Sequence, residues 1–187
     1  YNNLNSKKSV ENCNKKHITS SILGKHNIPV PKNNVFNKII SKEDIDYIIE
    51  TNNINYPLVV KPIDSTAGTK VFVNIKNDHE LRNILDKEFL NQKIYRSETQ
   101  KIMIEDYIDG VDHRILCYKD NVLDIIKRTP SYVIGDGYST IQQLVDKKNI
   151  QKKKLGHHPI KIDKYYLKKN KYDTKSIINK EEYLTVN

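Results

Sequence analysis

The sequence predicts an α+β fold, and three observations support this prediction. Apolar residues recur with helical spacing in some segments and form short, continuous runs typical of strands in others. Several predicted strands follow one another with only a turn between them, which indicates antiparallel hairpins. A uniform alternation of strand, helix and parallel strand is absent from the sequence.

Two helices with an extended segment between them are predicted before residue 52. Isoleucines one turn apart predict the first helix, from about residue 14 to 25. Two prolines in residues 28 to 31 favour extended backbone, because proline disfavours helix in the residue before it. Ser41 can cap the second helix, with Asp44 at the reciprocal position of a capping box. The apolar stripe of this helix is Ile45, Ile48 and Ile49.

Strands dominate the middle of the chain, where a helix near residues 78 to 90 interrupts them. This helix has an apolar face, and Asp120-Asn121 is predicted to form the turn between the last two strands. The apolar face consists of Leu81, Ile84, Leu85 and Phe89. The predicted strands are residues 58 to 61, 71 to 75, 101 to 105, 112 to 119 and 122 to 128.

A turn and a further helix are predicted after residue 130. Gly135-Asp136-Gly137 is a turn signal, and Ser139-Thr140 opens a helix with an apolar stripe. Beyond about Gln151 the pattern weakens to a polar loop, a short helix near residues 163 to 169 and an extended piece at 182 to 186.

The net charge is strongly positive, but the residue types that supply it do not favour a nucleic-acid partner. The formal charge is +9, and only four of the 32 basic residues are arginine. Lysine, asparagine and isoleucine share AT-rich codons, so much of the charge is interpreted as codon bias on a solvated surface. RNA-binding proteins typically interleave arginine with aromatic residues. The run Lys152-Lys153-Lys154 is accordingly interpreted as exposed surface.

The cysteines and the hydropathy pattern favour a cytoplasmic protein. Cys13 and Cys117 form no CxxC or metal-type spacing, and lone thiols indicate a reducing compartment. No apolar run approaches the roughly 20 residues of a membrane-spanning helix. The chain starts at Tyr1 without a methionine, so we expect that its true N-terminus is missing. The sequence is compatible with a homo-oligomer.

Lys61 stands at the end of an apolar run, beside a loop of small and hydroxylated residues. Small residues let backbone N–H groups approach phosphate oxygens, and a lysine at the strand end adds a fixed positive charge. The loop is not a P-loop, because GxxxxGK[ST] is absent. The pattern therefore indicates an anion site, with an ordinary hairpin tip as the alternative.

A second polar group surrounds the next predicted hairpin. Glu105 and Asp106 close an apolar strand, and Asp112 and Arg114 share one face of the following strand. Carboxylates can hold ribose hydroxyls or an amine, and arginine can hold a phosphate. The alternative is an exposed ladder of ion pairs, in which Asp112 and Arg114 pair with each other. Adjacent histidines at 157 and 158 lack a third ligand at metal spacing, so no metal site is predicted here.

In their order along the chain, these motifs resemble the ATP-grasp ligases. The likeness covers roughly residues 14 to 187, and its last block is similar to one found in a particular branch. That branch contains cyanophycin synthetase and the ATP-grasp module of bifunctional glutathione synthetases. The resembling stretches are residues 14–19 and 27–31 (the family's opening), 56–62 (the nucleotide lysine strand), 105–110 (the strand beside adenine) and 128–145 (the branch block).

The resemblance implies two α+β lobes around a nucleotide cleft, with ATP as cofactor and an amino-acid or peptide carboxylate as substrate. In the family, this carboxylate attacks the γ-phosphate to give an acyl phosphate, which an amine then captures. Lysines, an arginine and magnesium neutralise the transferring group. The implied function is the nucleotide-binding part of an ATP-dependent carboxylate–amine ligase.

The same resemblance implies which residues bind the nucleotide. Lys16 and Lys61 would contact the phosphates, and the backbone of Asp106 and Ile108 would face adenine, with Glu105 nearby. A loop would close over the phosphates. This loop consists of Asp64, Ser65, Thr66, Ala67, Gly68, Thr69 and Lys70.

Further assignments concern the ribose and the transferred phosphoryl group. Asp112 would hold the ribose, while Arg114 and Arg128 would act catalytically on the phosphates and the acyl phosphate. The loop departs from the branch pattern, which has a glycine at Lys70 and a basic residue at Thr69. Lys70 is an alternative source of charge.

The magnesium ligands of the family, an acid pair and an asparagine, are expected beyond residue 187. Glu181 and Glu182 come too early in the chain to replace them. The chain is then either a fragment of a longer ligase, inactive alone, or a reduced relative that binds nucleotide without catalysis; its start at Tyr1 favours the fragment. A lysine-rich polyanion-binding module is a further alternative. The predicted segments are a lead-in (1–13), an N-terminal ATP-grasp part (14–100) and an incomplete C-terminal lobe (101–187).

Overall fold

A computed structural model describes residues 5–65, 68–94 and 97–186 of the protein. The chain divides into two compact units, Tyr1–Asp109 and Gly110–Asn187. The first unit contains α1 (Lys7–Asn14), α2 (Lys16–Lys25), β1 (Asn33–Phe36), α3 (Lys42–Thr51), β2 (Leu58–Pro62), β3 (Phe72–Ile75), α4 (Asp78–Ile84) with a π-helical continuation (Leu85–Phe89), and β4 (Ile102–Asp106). The second contains β5 (His113–Tyr118), β6 (Asn121–Lys127), β7 (Tyr132–Ile134), α5 (Ile141–Lys154), α6 (Lys164–Lys169) and β8 (Tyr183–Thr185).

An antiparallel sheet of strand order β1-β4-β2-β3 forms the first unit's framework. Strand β4 therefore lies inside the sheet, with β1 on one side and β2 on the other. Because side chains alternate between the two faces of a strand, one face of β2 and β4 supplies core residues and the other supplies Lys61 and Glu105. The core of this unit includes Leu58, Val60, Ile102, Ile104, Ile45, Ile48, Leu81, Ile84 and Phe89.

The second unit has its own apolar core. Strands β7 and β8 form a two-stranded antiparallel sheet, and α5 contributes its apolar stripe to the same cluster. This cluster includes Val133, Ile141, Val145, Leu167, Ile178 and Val186. The β5–β6 hairpin contributes nothing to it, and every residue of its two strands is exposed.

The local predictions agree well with this structure. The α+β fold is confirmed, and Ser41 forms the expected capping box, in which its hydroxyl accepts from the Asp44 N–H at 3.3 Å. Thr140 and Gln143 form a second capping box at α5. The apolar face predicted for the helix near residues 78 to 90 is buried in α4 and its continuation. The continuation, Leu85–Phe89, is π-helical rather than α-helical.

Other elements differ from the predictions. The predicted lead-in, residues 1–13, contains most of helix α1, and none of the residues of this helix is buried. The turn of the β5–β6 hairpin is Lys119-Asp120, one residue earlier than predicted, with Lys119 at a φ of +52°. The boundary between the units follows Asp109 and not residue 100, since β4 pairs with β1 and β2 of the first unit.

Candidate functional site

Lys61 and Glu105 form an ion pair on neighbouring strands of the first unit. Val59 pairs with Glu105 and Lys61 with Met103 in the β2–β4 register, so the two charged side chains are diagonal neighbours on one face. Their side chains are only 19% and 11% exposed. A charge at this depth needs a partner, because desolvation of an unpaired charge is costly. Each group therefore supplies the partner of opposite charge that the other needs.

Lys16 lies at the start of α2 and fixes the chain that leaves β2. Its ammonium donates to the carbonyls of Ser65 at 2.8 Å and Pro62 at 3.1 Å. Its backbone N–H donates to the Ile63 carbonyl at 3.2 Å. Burial lowers the pKa of Lys16, and the positive charge of Lys61 lowers it further. Two cations thus lie close together beside the loop after β2.

Asp64 holds the start of this loop from the other side. Its carboxylate accepts hydrogen bonds from the Ser97 hydroxyl at 2.5 Å and from the Glu98 and Thr99 N–H groups at 3.0 Å. Burial alone would raise the Asp64 pKa, but these hydrogen bonds together bring it below its ordinary value. Ser65 is buried, and its hydroxyl donates to the Thr69 carbonyl at 3.3 Å.

The far end of the loop is tied to the π-helical segment. Gly68 has a φ of +70°, and a Cβ there would meet nothing within 4 Å. The Lys70 ammonium donates to the Glu88 carbonyl, lies 3.7 Å from the Glu88 carboxylate and 5.6 Å from the Phe89 ring centroid. The Lys70 ammonium is therefore already held by contacts within the first unit. Thr66 and Ala67 lie outside the described residues.

The segment after β4 is fixed at Asp106 and then becomes exposed. The Asp106 N–H donates to the Lys32 carbonyl at 3.0 Å, and its carboxylate accepts from the Lys32 N–H at 3.0 Å. The backbone N–H of Tyr107 donates to the Pro57 carbonyl at 3.1 Å, and the side chain of Ile108 is exposed. The adenine role of Asp106 and Ile108 remains a prediction.

In the second unit, Asp112 pairs with Arg128 across the base of the β5–β6 hairpin. The Arg128 guanidinium lies 3.1 Å from the Asp112 carboxylate. The backbone N–H of Arg128 donates to the Asp112 carbonyl at 2.8 Å. The alternative pairing of Asp112 with Arg114 is therefore wrong; Arg114 lies opposite Ile126, exposed. Residues 110–112 and 127–131 line an open cleft of about 590 Å³.

Several residues that shape this site had no signal in the sequence. Ser97 and Thr99 hold Asp64, Glu88 holds Lys70, and Lys32 holds Asp106, each across a long stretch of chain. Such contacts depend on tertiary structure and not on local pattern. Within the residues that the structure describes, no three His, Cys, Asp or Glu side chains are grouped closely enough to hold a metal ion.

Paired charges at the ends of neighbouring strands, beside a loop of small residues, form an arrangement of an α+β domain that can hold a phosphate group. The family model described as the RimK-like ATP-grasp domain matches residues 13–132. The chain therefore belongs to the RimK-like ATP-grasp family.

Proteins that are similar to this chain include two curated relatives and one solved structure. A cyanophycin synthetase from Trichormus variabilis is 29% identical over 157 residues, which are 84% of this chain and 16% of the relative. A glutathione biosynthesis bifunctional protein from Listeria innocua is 33% identical over 134 residues, 72% of this chain and 16% of the relative. The solved structure of an L-amino acid ligase from Bacillus licheniformis matches with a TM-score of 0.45 at 24% identity, over 80% of this chain and 35% of that one.

The chain thus spans only 16% of the length of these curated relatives. Among its described helices, none combines the length and the apolar character needed to cross a membrane.

Proposed function

We propose that the chain is the nucleotide-binding part of a cytoplasmic, ATP-dependent carboxylate–amine ligase. The observation that carries this proposal is the half-buried pair of lysines, Lys16 and Lys61, beside the loop that begins at Asp64. Membership of the RimK-like ATP-grasp family supports ATP as the nucleotide. The proposed partners are ATP and an amino-acid or peptide carboxylate.

The arrangement suits a polyphosphate on electrostatic grounds. Two nearby cations in a partly desolvated setting repel each other, and this repulsion contributes to the lowered pKa of Lys16. A bound triphosphate would relieve that repulsion and would compete with Glu105 for Lys61. Glu105 then acts as the partner that holds the Lys61 side chain in place when no nucleotide is bound.

In the ligase reaction, the substrate carboxylate attacks the γ-phosphate of ATP and displaces ADP, and an amine then displaces phosphate from the resulting acyl phosphate. Positive charge must accumulate where the transferring group becomes negative. Arg114 and Arg128 are the proposed source of that charge in the second unit, and Asp112 is the proposed ribose contact. Binding of the substrate's phosphates by Arg128 would require its pair with Asp112 to open or to be shared.

Magnesium is the proposed metal, because it neutralises phosphate charge in phosphoryl transfer. Within the described residues, no group of three His, Cys, Asp or Glu side chains could hold it. Glu182 accepts hydrogen bonds from the Tyr172 hydroxyl at 2.7 Å and from the Asn179 N–H at 3.0 Å, which accounts for its carboxylate within the second unit.

The test is Mg-ATP binding by calorimetry, on this chain and on Lys61→Ala. Loss of a charge-assisted phosphate contact is worth about 1.5–3 kcal/mol, so we expect affinity to fall about 10- to 100-fold. Lys76→Ala, which removes an exposed lysine of the same unit, is the matched control and should bind normally. The double variant Lys61→Met/Glu105→Gln shows whether the loss comes from the missing ammonium or from an unpaired Glu105.

A second candidate is a relative that binds nucleotide without catalysis. It is favoured by one observation: the charges of Lys16 and Lys70 are directed at backbone carbonyls of the chain itself. Phosphate release from ATP in the presence of candidate amino acids, measured on a chain extended past residue 187, separates the two. Nucleotide binding without turnover would favour the non-catalytic relative.

A further inference from the structure

The positive charge of the protein is concentrated in one part of the second unit. Residues 1–109 carry 16 basic and 14 acidic side chains, while residues 110–187 carry 16 and 9. Within residues 147–180 there are twelve lysines and only two acidic residues. Codon bias would spread lysine evenly along the chain, so it does not explain this distribution. The interpretation of the charge as a general surface property is therefore incomplete.

Part of this charge lines a cleft of about 490 Å³ at α6 and the turn that follows it. Lys164, Lys168 and Lys171 line it together with Tyr172. No acidic side chain of the described residues lies within 4 Å of these three ammonium groups as an ion-pair partner. Unpaired cations at a concave surface attract anions and raise their local concentration.

One aromatic ring lies among these lysines. Tyr172 lines the cleft, where its hydroxyl donates to Glu182 at 2.7 Å, and its ring is partly buried against the apolar core of the second unit. The acidic residue in the lining, Asp173, accepts from the Ser176 hydroxyl and from the Lys175 N–H and so orders the turn.

We propose that this lysine–tyrosine cleft binds single-stranded nucleic acid. Grooves for single strands combine backbone-tracking positive charge with aromatic side chains on which bases stack, and this cleft combines three lysines with one tyrosine ring. Lys164 and Lys168 are one helical turn apart, about 6 Å, on one face of α6. An acidic polypeptide would use the lysines but would gain nothing from the Tyr172 ring, and a membrane surface would not enter a cleft. The proposal does not depend on the proposed ligase activity.

The experiment is fluorescence anisotropy with a labelled 12-nucleotide single-stranded RNA across a salt series, on the 187-residue chain. Each phosphate contact contributes about −0.7 to the slope of log K against log salt. The triple variant Lys164→Gln/Lys168→Gln/Lys171→Gln should flatten the slope by about 2 and weaken binding about a hundredfold at about 0.1 M salt. The control Lys7→Gln/Lys8→Gln/Lys25→Gln removes the same charge from exposed positions in the first unit and should leave the slope unchanged.

Three results would overturn the proposal. They are no RNA binding at low salt, equal losses in both triple variants, or equally tight binding of a poly-aspartate of the same charge. The last result would assign the cleft to acidic polypeptides. A Tyr172→Leu variant adds a readout that charge alone does not move, because loss of a stacking ring weakens RNA binding without altering the salt slope. Circular dichroism melts of every variant confirm that the second unit is folded.

Discussion

At the scale of single residues, two charges of the candidate site, those of Lys16 and Asp64, are held mainly by backbone groups. The Lys16 ammonium binds carbonyls, and the Asp64 carboxylate accepts two backbone N–H groups and a hydroxyl. Charge-assisted hydrogen bonds of this kind are shorter and stronger than neutral ones. The position of the loop after β2 therefore depends on a few side chains that touch no other charged residue directly.

Asp64→Asn should destabilise the first unit by about 1–3 kcal/mol at neutral pH, because charged hydrogen bonds are lost. The folded-state pKa of Asp64 is below its ordinary 3.8, so its stabilising effect is present above pH 3.8 and disappears as pH falls through the lower value. The difference in unfolding free energy between wild type and variant should therefore shrink in acid. Denaturant titrations at several pH values measure it.

Asp86→Asn, an exposed aspartate of the same unit, is the control for this prediction. It should change stability by less than about 0.5 kcal/mol at every pH. If the difference in unfolding free energy between wild type and Asp64→Asn does not change with pH, these hydrogen bonds do not stabilise the ionised carboxylate of Asp64.

The sequence predicted the identity of the Lys61 and Glu105 site residues better than their contacts. The family resemblance places both residues at a nucleotide site, which stays a prediction, while their pairing depends on the β2–β4 register. The register joins residues more than 40 positions apart and leaves no periodic signal in the sequence. The same limitation explains why Asp112 was weighed against Arg114, two residues away, when its partner is Arg128.

At the scale of elements, the sequence predicted the helix starts well, because these depend on neighbouring residues. It did not predict contacts between elements that are distant in the sequence. Ser41 and Thr140 cap their helices as the sequence indicates, because a capping box needs only four consecutive residues. Strand β1 escaped prediction because its hydrogen bonds come from β4, about 70 residues later. The turn at Gly135 to Gly137 was predicted, but not the close packing of residues 178 and 179 against it.

Gly135→Ala should destabilise the second unit by about 3 kcal/mol. A Cβ at this position would lie 2.0 Å from the Asn179 carbonyl oxygen and 2.8 Å from Ile178, so the backbone must move to admit it. Thermal unfolding followed by circular dichroism measures the effect. Gly110→Ala is the matched control, since a Cβ there meets nothing within 4 Å and should be tolerated.

At the scale of the whole molecule, the two units have separate apolar cores. Ile104 belongs to the first cluster and Ile141 to the second, and no residue is shared between the two clusters. Ile104→Ala and Ile141→Ala should each cost about 2–5 kcal/mol, because both side chains are fully buried. We expect each loss to remain within its own unit.

Hydrogen exchange with mass spectrometry tests this expectation, since it reports the opening free energy of each segment. Ile104→Ala should speed exchange in β2 and β4 and leave α5 unchanged, while Ile141→Ala should do the reverse. If either substitution accelerates exchange equally in both units, the two cores unfold as one cooperative structure.

The place of β4 inside the sheet also sets the order in which the site can be assembled during synthesis. Strands β1 and β2 leave the ribosome well before β4, which must then insert between them. About 40 residues separate β2 from β4, so at about 5–20 residues per second the gap stays open for roughly 2–8 s. During that interval Lys61 lacks its ion-pair partner, the carboxylate of Glu105. The charge pair of the candidate site is therefore completed only when the last strand of the sheet arrives.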